Sequence, residues 1–183
     1  MIAEENMRKH ETLAWPAILA ASTVIGSLAI ACMMPFVALA IVVAMSLPNR
    51  RAIATVTAIV AANQVIGFAV LGFPADAYTV AWGAALFGAT LAAMGIARWV
   101  VGPAGEIIAT RLTLAGAAAF ITYEALLFAF ATQVGRVETF TPAIIAQLAR
   151  NETLWLIALT ALRLLTTGVA PQTFGARPNL RLA

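Results

Sequence analysis

Little in this chain of 183 residues can serve water-soluble chemistry. It has one cysteine, Cys32, and one histidine, His10. A lone cysteine excludes a disulfide within the chain, and the pair is too small for a Cys/His metal site of ordinary ligand number. Cys32 reads as a small apolar packing residue and His10 as a solvated one. Charge is scarce as well. Asp, Glu, Lys and Arg make up 10% of the residues, where a soluble domain carries roughly a quarter. The formal charge of +3 comes without a basic patch or an aromatic-interleaved stripe, so nucleic acid is not an expected partner. Walker loop, HExxH, GxSxG and a helically spaced carboxylate pair are all missing. No catalytic residue, metal ligand or cofactor is expected, and the chain does not read as an enzyme.

What the sequence does have is apolar length: 62% of its residues are hydrophobic. A bilayer's hydrocarbon core of ~30 Å is crossed by about 20 helical residues. Within it, a helix is the form that pairs all its backbone N–H and C=O groups inside one segment. The expected fold is all-α, a polytopic transmembrane helix bundle, with the lipid bilayer as its first partner. A bacterial cytoplasmic (inner) membrane suits it, since the Asn151-Glu152-Thr153 sequon is the sole hint of a secretory pathway and is common by chance.

The polar leader 1–12 mixes Glu4, Glu5 and Glu11 with Arg8 and Lys9, unlike a cleaved signal. A single helical domain over 13–171 follows. The uncharged run from Leu13 to Leu47 would extend about 50 Å as one helix. Pro35 divides it, because proline disfavours helix in the residue before it. Spans are expected at 13–31, 35–47, 52–72, 78–101, 107–134 and 152–169. The second is short for a full crossing, so a tilted or re-entrant helix there stays open. Between the last two spans, Thr141 can cap a helix with Pro142 at its first position. Ile144, Ile145 and Leu148 then share one face, which suits an interfacial helix over 142–150. Pro171 ends the last span, and a cytoplasmic tail without structure is expected over 172–183.

Cytoplasmic loops carry an excess of Lys and Arg. Six spans put nine of the 11 basic residues on one side, leaving Arg136 and Arg150 on the other. A five-span layout transfers Arg8 and Lys9 and gives seven against four. Six spans with both termini cytoplasmic fit better. Arg98, Glu106 and Arg111 then cluster at one cytoplasmic corner, and Arg163 is expected to snorkel to the inner interface.

Small residues recur along two spans. Ala81, Ala85, Ala89 and Ala93 lie four apart, as do Ala17 and Ala21. Lipid supplies little hydrophobic force between helices, so close backbone contact along small residues is a main source of their association. These faces either pack within the chain or dock a membrane-protein partner.

Polar groups kept inside the spans mark the candidate site, because they are costly in a bilayer and often line a cavity. Asn63 and Gln64 occupy the third span, Tyr78, Thr79 and Trp82 the start of the fourth, and Tyr123 and Glu124 the fifth. At 1.5 Å per residue, Gln64, Trp82 and Glu124 lie about 12, 9 and 15 Å below the outer ends of their helices. Three helices thus bring polar or aromatic groups to one layer of the outer half. Apolar walls with a few such groups make a pocket for a small, partly aromatic solute. The alternative is that the amides bond neighbouring helices and the aromatics form an interfacial belt.

With Ala17 and Ala21 as a docking face and Gln64, Trp82 and Glu124 at pocket depth, the layout resembles the substrate-binding S component of energy-coupling-factor vitamin transporters. That resemblance implies six helices, cytoplasmic ends, an outer-half site for a vitamin-like solute and a separate membrane coupling subunit. The turn at Pro35 is shorter than that family's gating loop. Two functions stay open: a solute-binding transport subunit with no ATP site of its own, and a structural or assembly subunit of a larger membrane complex. A proton-coupled carrier built on Glu124 is a third.

Overall fold

A computed structural model describes residues 13–25, 34–102, 106–174 and 179–181. The leader 1–12, Cys32, the turn leading to Met34 and Arg177 lie outside the described residues. Helix α1 is Leu13–Ile25. Helices α2 (Phe36–Ser46), α3 (Asn49–Ala69), α4 (Ala77–Val101), α5 (Ala109–Val134), α6 (Pro142–Val169) and α7 (Pro171–Phe174) follow, with a 3-10 turn at Val137–Thr139. Helices α3 to α6 are each long and apolar enough to cross a membrane, whereas α2 and the described part of α1 are shorter. The chain is a helical integral membrane protein.

Helix α2 is the centre of the bundle. Its sequence is apolar on every side, the pattern of a helix buried all round, and Phe36 through Ala44 are all buried. It packs on α3, α4, α5 and α6. Its 11 residues extend only about 16 Å, half of a hydrocarbon core. Pro35 and Pro48 bound it. The short, re-entrant alternative for this segment therefore has its length.

Helices α4 and α5 make the most extensive pair. Ala89, Ala93 and Ala97 of α4 and Ala115, Ala119 and Ala131 of α5 are buried, so small side chains let two backbones approach where lipid gives no other reason to associate. At the start of α4, Asp76 Oδ1 accepts the Thr79 N–H at 2.8 Å, an N-cap. That hydrogen bond, outside the span, holds the Asp76 carboxyl below its ordinary value of 3.8.

Helix α6 departs from expectation. Residues 142–150 and 152–169 were expected as an interfacial helix and a separate span, yet they form one helix of 28 residues. Neither proline nor glycine lies between Pro142 and Gly168 to break it. Its start is as expected: Thr141 is the N-cap, its Oγ1 accepts the Ile144 N–H at 3.3 Å, and Pro142 opens the helix. The tail is not featureless. Beyond α7, strand β2 (Asn179–Arg181) pairs in parallel with β1 (Glu106–Ile108), Leu180 opposite Ile107.

Candidate functional site

Two arginines finish helix ends at one side of the bundle. Arg98 Nη2 donates to Leu47 O at 2.9 Å, just past the C-terminus of α2. Arg111 Nη1 reaches Val101 O, at the end of α4, at 3.5 Å. A cation at a helix C-terminus satisfies orphan carbonyls and complements the macrodipole. Arg163 does not behave as a snorkelling residue. Its guanidinium sits 4.8 Å from the ring centroid of Trp15. Trp15 in turn is buried and donates its Nε1–H to Ser46 Oγ at 2.9 Å. The start of α1, the end of α2 and the last two turns of α6 are thus tied by one indole.

The opposite end of α2 is completed from α6. The carboxylate of Glu152 accepts the Ala38 N–H at 2.8 Å on Oε2 and the Val37 N–H at 3.4 Å on Oε1. An anion at a helix N-terminus takes up orphan donors and the positive end of the dipole. Here helix and anion are 114 and 115 residues apart in sequence. Glu152 is the tenth residue after the start of α6, about 15 Å along it, so the beginning of α2 lies deep within the bundle.

Beside this contact runs a cavity of about 740 Å³ between α5 and α6, floored by Val37, Ala38 and Ile41 of α2. Phe120 and Leu156 form apolar walls, and Glu152 and Thr160 bring polar groups to its lining. Its size is that of a small-molecule site.

The expected site residues fall into two groups. Trp82 packs edge-on against Phe130 of α5, ring centroids 4.9 Å apart, and against Tyr78 at 6.4 Å. Arg136 lies 5.9 Å over the Tyr78 ring. The Gln64 carboxamide rests on Gly83 of α4, so close that a Cβ there would be 2.8 Å from Oε1. Asn63 is half-buried just before it, and the Thr79 N–H is engaged by Asp76. The second group lies deeper. Tyr123 is buried and Glu124 half-buried, and both lie in the neighbourhood of Glu152. On α5, Glu124 continues the stripe Thr113, Ala117, Phe120, whose members line the cavity.

Of the small-residue positions, Ala89 and Ala93 are buried within the chain and Ala81 and Ala85 are half-buried, while Ala17 and Ala21 on α1 are exposed. Among the described residues no group of three His, Cys, Asp or Glu side chains could hold a metal ion.

Glu152 was absent from the expected site. A break at Asn151 would leave it at the head of a span, in the interface; only as part of a continuous α6 does it sit ten residues deep. The available signal was the unbroken run from Pro142, free of glycine and proline. No protein-family model, curated protein or solved structure matches the chain.

Proposed function

We propose that this protein is a membrane-embedded binding subunit for a small, largely apolar, vitamin-like solute, working with a separate coupling subunit and carrying no ATP site of its own. In this reading it resides in a bacterial cytoplasmic membrane with both ends cytoplasmic. An even count of crossings keeps the ends together whether α1 and α2 traverse the bilayer or dip into it as a pair. One observation carries the reading: a half-length helix, buried from Phe36 to Ala44, begins inside the bundle, against a carboxylate, at the wall of a cavity. Membrane transporters build substrate sites from such discontinuous helices, whose N-termini point at anionic groups near the midplane. Glu152 is the central group, with Glu124 and Tyr123 beside it and Gln64, Asn63, Thr79, Tyr78 and Trp82 toward the outer surface. The likeness to the S component of energy-coupling-factor transporters belongs to this proposal, with exposed Ala17 and Ala21 as the docking face.

Native mass spectrometry of protein extracted gently from its own membrane tests it. A retained small molecule is expected, present at reduced occupancy in folded Glu152→Gln. A protein that retains no small molecule, and whose deletion alters no solute uptake, would leave the competing role of assembly subunit. That role would have to use Ala17, Ala21 and the exposed Ala84 and Gly88, since Ala89 and Ala93 are occupied within the chain.

A further inference from the structure

We propose that the α5–α6 cavity takes a lipophilic alcohol or phenol that enters sideways from the bilayer, its hydroxyl donating to Glu152. This rests on the solute-binding reading and adds the ligand's chemistry and its route.

The mouth of the cavity lies on membrane-spanning segments. Ile121 of α5 and Ile157 of α6 line it and are 66% and 62% exposed, so its lips face acyl chains rather than water. The walls between them are apolar. What the site asks of a ligand is set by its two polar groups.

Glu152 offers about four acceptor positions as a carboxylate, and the Val37 and Ala38 N–H groups take two. Its charge already has a partner in the N-terminus of α2. The remaining positions therefore want a donor and need no second cation. Thr160 is the other group. It is 8% exposed, it lines the cavity, and its Oγ1 has no hydrogen-bond partner among the described residues. A buried hydroxyl left in that state is costly; a χ1 rotation that turns it toward the cavity would let a ligand oxygen relieve it. The two other threonines of the lining differ: Thr113 and Thr153 already donate to Ala109 O and Ala149 O. Glu152 and Thr160 are eight residues apart, about 12 Å along α6.

The complementary molecule has an apolar body, a hydroxyl at one end and a second polar oxygen about 12 Å away. A neutral hydroxyl dissolves in the bilayer interior at far lower cost than an ammonium or carboxylate, so it can reach a carboxylate at this depth from the side. A partner's transmembrane helix fits less well, because its backbone N–H groups are already paired internally and have nothing to offer Glu152.

The test uses the full-length protein in lipid nanodiscs and a photoreactive long-chain alcohol with a mid-chain diazirine and an ether oxygen about 12 Å from its hydroxyl, compared with the methyl ether of that hydroxyl, which cannot donate. The alcohol should label peptides of α5 and α6 around Phe120 and Leu156 about tenfold more than the ether, as one hydrogen bond to a charged group predicts. Ala161→Phe, which narrows the mouth without touching the α2 cap, should abolish that labelling, and Thr160→Val should weaken it several-fold. Equal labelling by alcohol and ether, labelling spread over α3 and α4, or indifference to Ala161→Phe would each overturn the proposal. So would a copurifying membrane protein that shields the cavity from both probes. If a polar molecule is retained in native mass spectrometry and the alcohol does not displace it, the binding-subunit role survives and the lipophilic-alcohol site fails. If the alcohol labels as expected but deletion changes no uptake, the reverse holds.

Discussion

Glu152 on α6 accepts the backbone N–H of Ala38 at 2.8 Å, joining the middle of the last long helix to the first turn of a buried one. Arg98 does the converse at the other end, donating to Leu47 O. Acid at the N-terminus and base at the C-terminus match the dipole of α2, an apolar segment with no charge of its own. A half-length helix inside a membrane protein leaves orphan N–H and C=O groups away from water, and these two residues account for several of them.

Removing the acid should therefore be felt in α2. Glu152→Ala leaves the Val37 and Ala38 N–H groups buried without their acceptor, a loss of about 1.5–3 kcal/mol for a hydrogen bond to a charged group. Glu152→Gln keeps an acceptor oxygen and should lose less. Amide hydrogen exchange at Val37 and Ala38 is the local readout, with thermal unfolding in detergent as the global one. Equal exchange in wild type and Glu152→Ala would rule out the cap.

Arg98→Met tests the other end. The aliphatic stem is kept while the donor to Leu47 O is lost, and a destabilisation of about 1–3 kcal/mol is expected for the unsatisfied carbonyl. An unchanged unfolding midpoint would mean that water reaches Leu47 O and that Arg98 adds nothing there.

Much of this architecture is legible in the sequence, and the limits are physical. Local chemistry was readable: Thr141 with Pro142 opens α6, and Pro35 and Pro48 mark off a segment apolar on every side. The small-residue row on α4 could be seen, but whether it packed inside or outside the chain depended on α5, whose own alanines share the contact. Glu152 was misplaced for a different reason. Asn151 and Glu152 look like an interface, and nothing within ten residues reveals that the carboxylate has backbone donors waiting 114 residues away. Arg163 was hidden in the same way, since its partner Trp15 lies at the far end of the chain. Contacts set by tertiary packing leave no periodic trace.

Gly83 offers a test of the outer group. The Cβ added by Gly83→Ala would sit 2.8 Å from Gln64 Oε1, the movable end of a flexible side chain. The carboxamide should swing away, and the fold should lose little, because alanine is favoured over glycine within a helix by roughly 0.5–1 kcal/mol. If Gln64 contacts solute, Gly83→Ala should weaken binding as much as Gln64→Ala does, with unfolding midpoints unchanged or raised. A variant that binds normally would remove Gln64 from the site.

Asp76 supplies the pH dependence outside the membrane. Its carboxyl is held below 3.8 chiefly by the Thr79 N–H, so the folded state binds this proton less readily than the unfolded chain. The stabilisation is fully present above the unfolded value and is lost as pH falls through the lower, folded one. In unfolding midpoints measured from pH 6 to pH 2, Asp76→Asn should flatten the acid limb by this contribution. Superimposable acid limbs would show that the cap does not titrate with folding.

The contact between Trp15 and Arg163 is one of the ties between α1 and the bundle, and its worth can be measured directly. The guanidinium lies 4.8 Å from the ring centroid and is half-buried, a setting in which cation–π attraction runs between about 0.5 and 2 kcal/mol. Trp15→Leu removes the ring and also the hydrogen bond to Ser46, so a single variant would overstate the stacking. A double-mutant cycle with Arg163→Met isolates it, because the Ser46 contribution appears on both sides and cancels. The expected coupling is about 1 kcal/mol, unchanged in a Ser46→Ala background. A coupling indistinguishable from zero would mean that α1 is held by apolar burial of Trp15 and Leu19 alone, with Arg163 merely resting beside the ring.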